Sequence, residues 1–247
     1  MFVKYKSAKK MGKRLFFHRV AAKKKKKQKK RTKHLQKKES WIIMKTDTPR
    51  EVCMRKEQIY QIFSHMPSME SARLLLRPLH VLDAEDMYDY ARREDVTTYL
   101  LWLPHPSISY TRDYLSYVEE RYLIGEFYDW AVVEKASGKM IGTCGFTRID
   151  APHNAAEIGY VLNPDFHGKG YGTEAAARVL RFGFEELSLH RIEAKFMQGN
   201  EASLRVMEKL GMHAEGYRRD GMLVKGAYRT IGICSILENE WRNKKDL

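Results

Sequence analysis

Apolar and polar residues fall into regular order only from about residue 71 onward. The segment "RLLLRPL" (73–79) predicts a strand. In "LDAEDMYDYARRE" (82–94), apolar or aromatic residues recur at 84, 87, 88 and 91, a helical spacing. A second helix is predicted over 107–125, with Tyr114, Leu115, Val118 and Tyr122 on one face and Gly125 at its end. The period then changes to two: 127–135, 140–150 and 154–162 read as three antiparallel strands, joined by "KASGK" and "APH". A glycine-rich stretch follows, then a helix over 173–187, a strand over 191–198 and a helix over 201–210 ending at Gly211. Strands near 213–218 and 226–237 complete the pattern. The order predicts one mixed α/β domain over 71–241 without internal repeats, a lead-in over 44–70 that is weakly helical and ends near Pro67, and a short tail over 242–247.

Charge changes this picture only at the N-terminus. The chain carries a formal +14, but residues 1–43 hold 18 Lys and Arg against the single acid Glu39, leaving −3 for the other 204 residues. The basic character therefore belongs to the tail, which buries too little apolar surface to offset its ordering entropy. The tail is expected to be disordered and offers a weak RNA or ribosome contact through phosphates. Met44 offers an alternative start, because codons for Lys38 and Glu39 just upstream can resemble a ribosome-binding site. Cys53, Cys144 and Cys234 form neither a disulfide framework nor a metal spacing, which fits a reducing cytoplasm. No apolar run is long enough for a membrane span, and no apolar stretch follows the basic N-terminus as in a secretion signal.

The chemistry concentrates in "NPDFHGKGYGTEAA" (163–176), where Gly168, Gly170 and Gly172 lie between a strand and a helix. A Walker A loop is excluded, because Gly172 is followed by Thr173 and Glu174 rather than by Lys and Ser or Thr. A dinucleotide fingerprint is also excluded: the spacing is G-x-G-x-G, and it follows antiparallel strands rather than the first parallel one. What remains is a turn whose amides, from about Gly168 to Thr173, converge at a helix N-terminus and suit a pyrophosphate, with Lys169 adding a point charge. Taken alone, the same residues also fit a simple helix entry.

With its flanks "AEIGYVL", "HRIEAKF", "GNEASLRVMEKLGM" and "YRTIGICSILENEW", this stretch resembles the GNAT superfamily of acetyl-CoA-dependent N-acetyltransferases over residues 71–241. Within it, the chain is most similar to the RimJ/RimL branch, which acetylates ribosomal-protein N-termini. The family signature [QR]-x-x-G-x-[GA] falls on His167, Gly170 and Gly172, with His167 departing from the usual Gln or Arg. The resemblance implies a mostly antiparallel mixed sheet, splayed at the strand before the glycine turn and flanked by helices. It implies a cofactor site made of His167, Gly168, Lys169, Gly170, Tyr171, Gly172 and Thr173 for the pyrophosphate, with the backbones of Val161 and Leu162 pairing with the pantetheine arm. An amide there would also face the thioester oxygen, a position where a preorganised donor is worth roughly 3–4 kcal/mol. Asn200 and Ser203 match the family's N-x-x-S: Asn200 would bond the pantetheine arm or simply cap its helix, and Ser203 would protonate the departing thiolate. Met207 occupies the position where many relatives place a general-acid Tyr.

Glu157 is the candidate general base through a water, with Glu193 its rival; either can equally be a carboxylate that organises the sheet. Trp102, His105 and Tyr110 are candidates for the acceptor cleft, with core packing or, for His105, an exposed loop as the alternatives. No metal site is expected. No cysteine is placed as a nucleophile, which favours direct transfer in a ternary complex. Deprotonating an α-amine at pH 7 costs roughly 1.4 kcal/mol against nearly 5 for a lysine, so a water-relayed carboxylate suits the α-amine better. The expected activity is thus acetyl transfer to a protein N-terminus by a monomer or homodimer. A small amine (polyamine, amino acid or aminoglycoside) is the alternative acceptor, and a non-catalytic RNA-associated protein the alternative class.

Overall fold

The computed structural model describes residues 56–243. The basic tail, the alternative start at Met44, Cys53 and residues 244–247 lie outside them.

The chain begins with helix α1 (Lys56–Ser64) and strands β1 (Met69–Glu70) and β2 (Leu74–Arg77). Helices α2 (Ala84–Ala91), α3 (Glu94–Thr97) and α4 (Ile108–Leu123) lead to strands β3 (Asp129–Glu134), β4 (Met140–Asp150) and β5 (Ala155–Leu162). Then come α5 (Tyr171–Glu185), β6 (Arg191–Met197), α6 (Glu201–Lys209), β7 (His213–Val224), β8 (Ala227–Leu237) and α7 (Glu238–Asn243). The eight strands form one sheet ordered β1-β2-β3-β4-β5-β6-β8-β7. Every neighbouring pair is antiparallel except β5 and β6.

The β5–β6 exception creates the splay. Parallel pairing runs from Ala155 opposite Arg191 to Ile158 opposite Ala194 and then stops. Residues 159–162 of β5 keep only their β4 partners, Gly159 with Gly145 through Leu162 with Gly142. The β6 residues Lys195, Phe196 and Met197 pair only with β8. A wedge therefore opens between two strands whose inward backbone groups have no sheet partner.

The helices cover both faces. The apolar side of α5 buries Ala175, Ala176, Val179, Leu180 and Phe182 against the sheet. Trp130 is fully buried there, its ring edge-on to Phe182, Phe146 and Phe63. Helices α2 and α4 pack together over the β2–β4 part of the sheet through Met87, Tyr90, Leu115 and Val118.

Several boundaries differ from the sequence reading for identifiable reasons. The packed core reaches back to Ile59 and Phe63, and the Trp130 indole donates to Pro67 O at 2.7 Å, so the described part of the lead-in, residues 56–70, packs with the domain. The helix expected over 82–94 is broken: Asp83 pairs with Arg77 and accepts from His80 N, fixing a tight turn over 81–83 before α2. Strand β7 runs to Val224, beyond the expected 218; as an exposed edge strand with two register shifts it has no alternation to read.

Candidate active site

The glycine turn joins β5 to α5. Gly168 and Gly170 have φ of +75° and +83°, the left-handed region that L side chains rarely adopt. Gly170 is the N-cap of α5 and no side chain caps the helix. The first helical bond runs from Glu174 N to Gly170 O at 3.0 Å, leaving the amides of the first turn without intrahelical acceptors. Uncapped amides at the positive end of a fifteen-residue helix could hold a pyrophosphate by charge and by hydrogen bonding.

Arg73, at the entry to β2, holds this turn in place and was not singled out in the sequence. Its guanidinium donates to Lys169 O at 2.9 Å and to Glu174 Oε2 at 2.7 Å, and it stacks 4.4 Å from the Tyr171 ring centroid. Ser71 Oγ donates to the same carboxylate at 2.7 Å. Glu174, whose charge would repel phosphate, is thereby neutralised. Lys169 lies over the Phe166 ring at 5.0 Å. His167 Nε2 donates to Leu162 O at 3.0 Å, so the unusual signature residue ties the turn to the end of β5.

A cavity of about 540 Å³ adjoins the β5–β6 wedge and takes in Tyr160, Val161, Asn200, Ser203 and Met207. Asn200 caps α6, its Oδ1 accepting from Ser203 N at 3.2 Å. Tyr160, also not anticipated, donates its hydroxyl to Ser203 O at 3.1 Å; burial pushes this phenol well up and keeps it neutral. Ser203 and Met207 both line the cavity.

On the other side of the wedge the cavity is aromatic. Trp102, His105 and Tyr110 all line it. His105 is buried rather than exposed, with Nδ1 2.9 Å from Thr111 Oγ1 and its ring between Trp102 and Tyr110; burial lowers its proton affinity.

Three carboxylates reach the cavity: Glu126, Asp129 and Glu157. Glu157 is bound by the ammonium of Lys195, and Glu126 by Arg121. Glu193, the rival base, is not part of the cavity wall; it sits among Lys195 at 3.3 Å, Arg191 at 3.4 Å and Arg148 at 3.5 Å. Asp129 alone of the three has no cationic partner among the described residues. Burial pushes its carboxyl up to about 7, against the hydrogen bonds it accepts from Thr143 and from Trp130 N. Sequence reading placed Asp129 inside a strand and gave it no role. Among the described residues no group of side chains is arranged to hold a metal ion, and no helix is long and apolar enough to cross a membrane.

This geometry has known counterparts. Residues 73–213 match the family described as Acetyltransferase (GNAT) domain. Over 176 residues the chain is 33% identical to "Uncharacterized N-acetyltransferase p20" of Bacillus licheniformis, a match covering 71% of this chain and 99% of that protein. It is 36% identical to "Putative ribosomal N-acetyltransferase YdaF" of Bacillus subtilis over 108 residues, covering 44% of this chain and 59% of the other. It is 26% identical to the spermidine N(1)-acetyltransferase of Escherichia coli K12, covering 71% and 91% respectively. Among solved structures, a GNAT-family acetyltransferase from Bacillus anthracis superposes with a TM-score of 0.63 at 31% identity, over 70% of this chain and all of that one. The chain therefore belongs to the GNAT family of N-acetyltransferases, enzymes that take the acetyl group from acetyl-CoA.

Proposed function

We propose that the acceptor is the α-amine of a protein N-terminus, a ribosomal protein among the candidates. The observation that carries this reading is the single cation-free carboxylate of the cavity, Asp129. One such carboxylate matches one ammonium group. A polyamine carries several positive charges and would gain from several unpaired acids, whereas Glu126 and Glu157 are already bound by Arg121 and Lys195. The mouth supports the same choice: Tyr99, Leu101 and Tyr110 are exposed at 40%, 65% and 51%, an apolar rim suited to the peptide that follows an α-amine. The YdaF name adds support for a ribosomal acceptor.

On this reading the amides of Gly168–Thr173 hold the pyrophosphate, with Lys169 and His167 at the rim of that turn. The open edges of Val161 and Leu162 receive the pantetheine arm, and Asn200 and Ser203 face it from α6. Ser203 donates the proton to the departing sulfur. A polyamine acceptor is the second reading, favoured by the spermidine acetyltransferase that matches over most of its length. Labelled acetyl-CoA supplied with peptides bearing free α-amines, with the same peptides blocked, and with spermidine separates the two. Transfer restricted to the free peptides supports the N-terminal reading, and transfer restricted to spermidine replaces it.

A further inference from the structure

The floor of the cavity is a single row across the sheet. Asp129 on β3 lies opposite Gly145 on β4, and Gly145 lies opposite Gly159 on β5. The row then runs out at the wedge, because β5 loses its β6 partner after Ile158. Neither glycine can be replaced without moving its neighbours. A Cβ on Gly145 would sit 2.3 Å from Tyr128 O and 2.8 Å from Asp129 Oδ1, and one on Gly159 would sit 2.7 Å from Thr147 Cγ2. Gly145 is thus what lets the Asp129 carboxylate lean across β4 towards the wedge. Adjacent strands are about 4.8 Å apart, so the carboxylate lies about one strand width from the backbone of Gly159. Between them is a floor without side chains, wide enough for a primary amine and its first carbon.

Resting on the acceptor reading above, we propose that Asp129 is the residue that receives the acceptor's ammonium group and takes its proton. The ammonium N–H passes its proton to Asp129 Oδ, giving a carboxylic acid and a neutral amine with a free electron pair. The nitrogen forms a bond to the thioester carbonyl carbon and the carbon–sulfur bond breaks. The sulfur leaves with that bond's electron pair and takes its proton from the Ser203 hydroxyl, which is reprotonated by the second proton shed by nitrogen. Asp129 returns its proton to solvent, so the sum is ammonium plus acetyl-CoA giving amide, coenzyme A thiol and one proton.

Three further features agree. Glu157, the candidate base from the sequence, would have to give up Lys195 before it could hold a second cation. An acceptor whose proton affinity lies close to that of an α-amine, about 8, needs little driving force, whereas a lysine at about 10.4 needs far more. Burial also displaces the titratable groups around Asp129. Tyr90 on α2, Tyr114 and Tyr122 on α4 and Cys144 on β4 are all pushed up by burial, and His105, before α4, is pushed down.

The test compares full-length wild type with Asp129→Asn and Glu157→Gln, using a peptide with a free α-amine as acceptor. Acetyl-CoA affinity is followed by calorimetry and folding by circular dichroism. Asp129→Asn should bind acetyl-CoA as wild type does, lose kcat/KM by about 100-fold or more, and lose the acidic limb near pH 7. Asp129→Glu should recover part of the rate, and Glu157→Gln should keep the limb. Unchanged turnover in Asp129→Asn overturns the proposal, as does parallel loss of acetyl-CoA binding, or a limb that disappears in Glu157→Gln instead. If wild type binds acetyl-CoA but acetylates no peptide, the acceptor reading fails by itself. The carboxyl 13C resonance of Asp129, titrated with and without glycinamide, then decides the residue's role. A glycinamide-dependent shift supports it, and an unshifted resonance overturns it.

Discussion

On the proposed reading, the donor side of this site is built from backbone, whereas the acceptor side is built from side chains gathered from separate segments. On the donor side, the uncapped first turn of α5 and the unpaired edges of β5 and β6 present amides and carbonyls whose positions follow from two positive-φ glycines and one interrupted strand pairing. On the acceptor side, Trp102 and His105 come from the segment before α4, Tyr110 from α4, Asp129 from β3 and Glu157 from β5. Backbone sites tolerate side-chain drift. The contact of His167 is with a backbone carbonyl, that of Leu162 at the end of β5. Side-chain sites do not, which is how one fold serves different amines.

This contrast is broken most strongly at Gly170. Gly170→Val forces a β-branched residue to φ +83° and places a side chain among the amides. Acetyl-CoA binding measured by calorimetry should weaken by about 100-fold or more, with the circular dichroism spectrum retained. Affinity within a few-fold of wild type would detach the pyrophosphate from this turn.

Asp129 gives the second largest effect, and its sign can be worked out. The folded carboxyl is raised to about 7 from an unfolded value near 3.9, so the protein is penalised for ionising it. That penalty is absent below about pH 4 and complete above about pH 7. Asp129→Asn should therefore be more stable than wild type at pH 8, by roughly 1–3 kcal/mol in urea unfolding, and equal to it near pH 4. A difference that does not change with pH would place the carboxylate in an ordinary solvated setting.

Arg73→Ala sharpens the comparison by loosening a backbone site from outside. It removes the bonds to Lys169 O and Glu174 and unmasks the Glu174 charge, so acetyl-CoA affinity should fall about tenfold, with little change in KM for the amine. An equal loss in both would mean that the two sides are mechanically coupled. The smallest effect is expected at Asn200: Asn200→Ala removes the α6 cap and should cost about 1 kcal/mol of stability by thermal or urea unfolding. Loss of acetyl-CoA affinity beyond that would add a direct pantetheine contact to the cap.

The same contrast explains what could be read from the sequence. Glycine spacing and period-two strands are local signals, so the turn, β3–β5, α5 and the order of elements were legible. The helix start was set two residues late because Gly170 opens the first turn at Tyr171. Asp129 was passed over because "FYDWAVVEK" reads as an apolar strand, although an acid on the Ala131 and Val133 side of it was itself a signal. Its meaning depends on Gly145 and Gly159 standing in the same row, and cross-strand register is not written in any one segment. Arg73 and Tyr160 escaped for the same reason, their partners lying 96 and 43 residues away.

The proposed acceptor of the acetyl group is an α-amine. One incubation tests it directly: acetyl-CoA, the full-length protein, a peptide carrying both a free N-terminus and an internal lysine, and equimolar spermidine, read by fragment mass spectrometry. The acceptor assignment requires a single acetyl group on the peptide N-terminus. Acetyl on spermidine or on the lysine, with the N-terminus free, would contradict it.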